Sequence, residues 1–169
     1  MKKIRMENGF IIMRSLLVKY KFVIIVLIVD FISKLFISNY FILNKSVSVI
    51  NKFFYITYTN NYGAAFSIMQ NSRFLLIFIS VLVLFILVYY LNKKKIDNRL
   101  EIFCYSLLLG GLLGNLVDRI IYGYVIDFFD FYIFGYEFAI FNVADVAIVI
   151  SIIILIFIEF VGDRNAVKS

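Results

Sequence analysis

The chain has no histidine, no proline, no tryptophan and a single cysteine. Without histidine there is no Ser-His-Asp triad, no Cys-His pair and no imidazole-ligated metal site. One cysteine cannot close an internal disulfide. The neighbours Phe103, Tyr105 and Leu107 mark Cys104 as inert packing rather than a reactive thiol. Charge is also scarce, at 17% of 169 residues, against about a quarter in soluble domains. Hydrophobic residues fill the gap: they make up 63% of the chain, with 20 Phe and 12 Tyr. Mean hydropathy is +0.97. This composition excludes an ordinary soluble domain, and its aromatics suit lipid contact and interfacial belts. The net charge of +6 fits orientation signals and anionic lipid better than nucleic acid. Membrane lipid is therefore an expected partner and nucleic acid is not.

Four apolar stretches are long enough to cross about 30 Å of hydrocarbon, which takes roughly 20 helical residues. They lie near 22–38, 74–91, 102–121 and 143–161. The expected fold is an all-α membrane protein, a four-transmembrane-helix bundle with small extracytoplasmic β elements, forming one integral-membrane domain over 1–169. Twelve of the 17 basic residues lie in the leader before Phe22, in the loop between the second and third spans, and in the tail. By the positive-inside rule both termini and that loop are cytoplasmic. The basic leader and first span resemble a signal peptide, but Asp30 follows and no small-x-small cleavage site does, so an uncleaved anchor is expected. Ser46 to Ile50, Phe53 to Thr59 and the stretch from Tyr124 through Phe141 are β-branched and aromatic, which predicts short strands between the spans.

Charged residues inside apolar spans cost several kcal/mol on insertion scales, so each one marks a candidate site. Asp30 and Lys34 lie one helical turn apart and are expected to form a structural ion pair. A Ser33–Lys34 dyad is the sharper alternative, but adjacent helical residues point about 100° apart. Gly110 and Gly114 form a GxxxG spacing that lets another helix backbone approach closely. Asn115 shares a face with Asp118 and Arg119, and Arg119 is expected to neutralise Asp118 as a local anchor. Asp127 and Asp130 follow a turn around Gly123. Asn142 sits where an N-cap is expected, and an acid at Asp145 suits the first turn of a helix. Asp118, Asp127 and Asp145 all fall near one membrane level, with one obvious cation beside them. Close carboxylates split their pKa values, so one serves as base and another as acid in an aspartic-protease arrangement.

These residues fall into five ordered motifs that resemble the lipoprotein signal peptidases, also called signal peptidase II, from about Lys19 to Val161. The motifs are Asp30 with Lys34; Asn61, Gly63, Ala64, Ala65 and Phe66; Gly114, Asn115, Asp118 and Arg119; Val125, Asp127 and Phe128; and Phe141, Asn142, Ala144 and Asp145. The chain departs from the pattern in having Phe31 where Gln is frequent and Ala139 where Pro is frequent. The resemblance implies a catalytic dyad of Asp127 and Asp145. It implies that Asn61, Asn115, Asp118, Arg119 and Asn142 support the site and the substrate backbone. It further implies a β-cradle and a surface helix, no cofactor and no metal. The implied substrates are diacylglyceryl-modified prolipoproteins, cut just before the lipidated Cys at the extracytoplasmic face of a bacterial cell membrane. The residues alone indicate only an acid–base carboxylate site near one membrane surface. A small proton-conducting or proton-coupled transporter is the alternative, since intramembrane acids also relay protons. Four spans without an inverted repeat leave it little room. A non-catalytic assembly subunit and a metal-dependent protease are further rivals, the latter weakened by a donor set of carboxylates alone.

Overall fold

The computed structural model describes the backbone of residues 2–63, 69–94, 96 and 98–166, and the side chains of 21–63, 69–94, 96 and 98–160. Ala64, Ala65 and Phe66, part of the second motif, lie outside the described residues. The element order is α1 (Lys2–Tyr40), β1 (Ser46–Ile50), β2 (Phe54–Asn61), α2 (Arg73–Lys93), α3 (Arg99–Ile121), β3 (Val125–Ile133), β4 (Tyr136–Glu137) and α4 (Val143–Ala166). Segments Lys21–Tyr40, Arg73–Lys93, Arg99–Ile121 and Val143–Phe160 are long and apolar enough to cross a membrane. The four expected spans lie within these helices to within a residue, though α1 continues N-terminally well beyond its apolar half. The surface helix that the family resemblance implies is not found among the described residues of 39–73 and 122–142.

α3 is the central helix because its surface is the least bulky. It packs closely against α1 on one side and α4 on the other, while α2 touches mainly α3. A Cβ built on Gly110 would meet the Val26 side chain at 2.7 Å. One on Gly111 would meet the Ala144 carbonyl oxygen at 2.5 Å, and one on Gly114 would meet Asp30 Oδ2 at 2.8 Å. Small residues are what permit such backbone approach. Gly110 and Gly114 therefore seat α1, and Gly111 seats α4. The outer surfaces of α2 and α4 are apolar and exposed, including Phe74, Phe78, Phe85, Ile153, Ile156 and Phe157, as lipid-facing helices require.

Both β segments connect the same ends of the helices: β1 and β2 join α1 to α2, and β3 and β4 join α3 to α4. They form one antiparallel four-stranded sheet in the order β1-β2-β3-β4 that caps this end of the bundle. Asn61 pairs with Val125 and Thr59 with Asp127, and the register is irregular between Ile56 and Thr59. Phe141, just before α4, bridges to Phe129: Phe129 donates to the Phe141 carbonyl at 2.7 Å and Phe141 returns a bond at 3.1 Å. The Phe131 and Phe141 rings stack nearly parallel at 5.6 Å. This pairing holds the start of α4 against the middle of β3. Below it, Ile37, Ile126 and Phe128 form an apolar cluster between α1 and the sheet. Asp130 is fixed within the sheet, where it accepts a bond from Thr57 Oγ1 at 2.6 Å.

Candidate active site

Where the sheet meets the bundle, a layer of polar side chains is buried. Asp30, Lys34, Asn115, Asp118, Asp127 and Asn142 are all nearly inaccessible, and Asn142 is completely so. Buried groups of this kind must find partners, and these do. Lys34 Nζ lies 2.7 Å from Asp30 Oδ2, 2.9 Å from Asp118 Oδ2 and 3.1 Å from Asn115 Oδ1. Those three contacts use the three donors of an ammonium. The other oxygen of Asp30 accepts the Ala144 backbone N–H at 2.9 Å, so α1 caps the first turn of α4. Ser33 Oγ turns back to the Asp30 carbonyl at 2.7 Å, away from any dyad with Lys34.

The cation beside Asp118 is thus Lys34, not Arg119, which corrects the sequence expectation. Residues 118 and 119 are neighbours on a helix and face about 100° apart. Asp118 points toward α1. Arg119 points toward an open cavity, where Nη2 donates to the Gly63 carbonyl at 3.1 Å and Nη1 to its own helix at the Asn115 carbonyl at 3.3 Å.

Asn142 ties the two acids of the expected dyad together. Its Nδ2 donates to Asp127 Oδ1 at 2.6 Å, and its backbone N–H donates to Asp145 Oδ2 at 3.2 Å. Its Oδ1 accepts the Asp145 backbone N–H at 3.0 Å, the reciprocal arrangement of a capping box. Asn61 Nδ2 holds the other Asp127 oxygen at 2.8 Å, while its own Oδ1 accepts the Gly63 N–H at 2.9 Å. Asn115 Nδ2 reaches Asp145 Oδ1 at 2.7 Å, and its Oδ1 faces two donors, Lys34 and Asn142. Only one amide orientation satisfies that set. All seven residues of the expected site therefore gather with the Asp30–Lys34 pair in a single network. Burial first, and the charge of Asp145 second, push the Asp127 carboxyl up to about 7, against the bonds from Asn61 and Asn142.

Two cavities meet at Asp127. One, of about 560 Å³, has Asn61, Asn115, Arg119, Asp127 and Asp145 at its head and runs along α4 past Val146, Val149 and Ile150. The other, of about 410 Å³, is more polar and is lined by Thr59, Asn60, Tyr62, Gln70 and Glu137. Asn61, Asp127, Phe138, Ala139 and Ile140 line both. Such an arrangement can activate water between two carboxylates and hold a chain that passes from one cavity to the other.

One site-supporting residue escapes sequence reasoning. Arg73, at the start of α2, donates from Nε to the Arg119 carbonyl at 2.9 Å and from Nη2 to the Ile120 carbonyl at 2.7 Å. It caps the last turn of α3, just before Gly123 turns the chain at φ +86°. The available signal was a basic residue in a helix's first turn, where the macrodipole disfavours it unless its charge serves another helix.

A family profile described as signal peptidase (SPase) II matches residues 22–161. A lipoprotein signal peptidase of Haemophilus ducreyi is 38% identical over 146 residues, which cover 84% of this chain and 90% of that protein. One of Shewanella sediminis is 40% identical, covering 85% of this chain and 84% of that one. A solved structure described as a bacterial membrane enzyme superposes with a TM-score of 0.78 at 36% identity, covering 87% of this chain and 89% of that one. None of these matches is a transporter, so the proton-transport alternative finds no support.

Proposed function

The chain belongs to the signal peptidase II family, and from that premise we propose that it removes signal peptides from prolipoproteins by an aspartic mechanism at Asp127 and Asp145. The observation that carries the mechanism is the bridging of the two carboxylates by Asn142 at the point where both cavities meet. Asp127, its carboxyl pushed up to about 7, holds the proton that the pair shares and gives it to the scissile carbonyl oxygen. Asp145 takes a proton from the attacking water. As the tetrahedral intermediate collapses, the C–N bond breaks, the proton on Asp145 passes to the leaving nitrogen, and one hydroxyl of the intermediate returns its proton to Asp127 as the new carboxyl forms, restoring the pair. Asn61, Asn115 and Asn142 orient the acids, and Arg119 faces the cavity as a donor for substrate carbonyls. Lys34, shared between Asp30 and Asp118, fixes α1 to α3 beneath the site.

The substrate is a diacylglyceryl-modified prolipoprotein cut just before its lipidated Cys, with no cofactor required. The acyl chains gain about 0.8 kcal/mol per buried CH₂, which fixes the adjacent peptide bond at the depth of the acids, and positioning is a large part of catalysis. Matched synthetic peptides with and without the diacylglyceryl group, incubated with purified enzyme and chelator, test this. Only the lipidated peptide is expected to be cut, at an unchanged rate in chelator. Equal cleavage of both rejects the lipid requirement, and activity lost in chelator rejects the metal-free mechanism.

Orientation follows from charge: the termini and the 92–100 loop face the cytoplasm, and the sheet with its acids faces outward. An impermeant thiol reagent on intact cells is expected to label a cysteine placed at Lys52 and to spare one at Lys94. The reverse pattern would invert the topology.

A further inference from the structure

We infer that the polar cavity beside Asp127 binds the stretch of substrate immediately after the cut, and that Glu137 makes it favour basic over acidic residues there. The inference rests on the peptidase reading above. The direction of the bound chain comes from the two cavities. The larger follows α4 along Val146, Val149 and Ile150, inside a membrane-crossing segment. It suits the apolar signal sequence and acyl chains. The smaller is walled by the end of β2, Gln70 and β4, all outside the membrane-crossing helices. It suits the polar start of the mature protein. The bond to be cut lies between them, at the shared wall that includes Asp127.

The two sides differ in charge: among the described residues the larger cavity holds a cation beside Asp127 and Asp145, and the smaller is lined by none. Arg119 lines the larger cavity. Among the described residues the polar cavity has two charged lining residues, Asp127 and Glu137, both acids. Asp127 is buried, whereas Glu137 is exposed on a two-residue strand at the cavity wall. No ion pair of Glu137 occurs among the described residues, whose pairs all involve Lys34 or Lys94. Thr59, Asn60, Asn61, Tyr62 and Gln70, which supply the facing wall, carry no charge. An incoming segment therefore meets a carboxylate that has no ion-pair partner among the described residues. A lysine in that segment is attracted and a glutamate repelled, by amounts typical of an exposed pair.

Three lipidated peptides, identical through the Cys and carrying Ser-Ser, Lys-Lys or Glu-Glu immediately after it, test the inference. At low salt, kcat/KM for the Lys-Lys peptide is expected to exceed that for Glu-Glu by about three- to five-fold. The ratio should fall toward one at roughly 1 M salt, where the screening length is about 3 Å. Glu137→Gln should bring the low-salt ratio to about one, and Glu137→Lys should reverse it, each by attractions of the same size. A wild-type ratio of one, with the Ser-Ser peptide cut normally, overturns the inference and leaves the peptidase reading intact. A ratio unchanged in both variants overturns the assignment to Glu137. Failure to cut any of the three peptides overturns the reading beneath it, and the inference with it.

Discussion

Asp127→Asn and Asp145→Asn are each expected to lower cleavage of a lipidated peptide by about 10³-fold, within the range for losing general acid–base catalysis. The double variant should be no worse than either single one, because two groups that pass one proton between them act as a unit. Some stability is lost as well. Both oxygens of each carboxylate accept hydrogen bonds, so the NH₂ of an introduced Asn must face a donor. An unsatisfied buried group costs about 1–3 kcal/mol. Gel filtration and circular dichroism in detergent separate this from catalysis, since a folded, monodisperse variant cannot lose three orders of magnitude through partial unfolding. Near-normal turnover in either variant would end the dyad assignment.

The same carboxylates set a pH dependence. Asp127 is raised from an ordinary carboxylate value to about 7. Its native state thus binds a proton more tightly than its unfolded state. The stability this contributes is complete below the ordinary carboxylate range and is lost as pH rises through about 7. Activity should follow on its alkaline side, kcat/KM falling above about 7 as the shared proton leaves. A profile flat through that region would show that Asp127 carries no catalytic proton.

Lys34→Met is expected to be the most destabilising single change. It leaves Asp30 and Asp118 buried without a cation and removes a donor from Asn115 Oδ1. Removing one partner of a buried ion pair costs about 3–5 kcal/mol, a large part of a typical total of about 5–15 kcal/mol. Thermal unfolding in detergent should show it, and adding Asp30→Asn and Asp118→Asn to Lys34→Met should recover part of the loss. Asp118→Asn alone should be milder, because Lys34 keeps Asp30. A Lys34→Met protein that melts like the wild type would show that the triad contributes nothing to the fold.

The four spans and the strand-rich connections are legible in the sequence because long apolar runs and β-branched alternation report directly on the surroundings of the chain. Gly110 and Gly114 are legible as packing positions for the same reason. What hydropathy does not carry is which way a polar side chain turns. Asp118 and Arg119 look like a pair in sequence and diverge in space. Lys34 reads as the partner of Asp30 alone, because its second carboxylate comes from another helix. The register irregularity in β2, the Phe141–Phe129 bridge and the two cavities depend on tertiary contacts that no local pattern encodes. Arg73 left a trace only as a charge on the wrong end of a helix.

Asn142 shows how little freedom such a site has in sequence space. At its position the helix start needs an acceptor, Asp127 needs a donor, and Asn115 Oδ1 lies within reach of that same donor. Aspartate, serine and threonine are all good caps. Yet aspartate carries no donor when ionised and would set a further negative charge beside Asp127, while a hydroxyl, with one proton, is too short to span both roles. Glutamine has the right groups on a stem one carbon too long for a pocket that leaves the side chain no exposed surface. Every single-residue step away from asparagine leaves one of the three demands unmet, so this position has no neighbouring solution to drift toward.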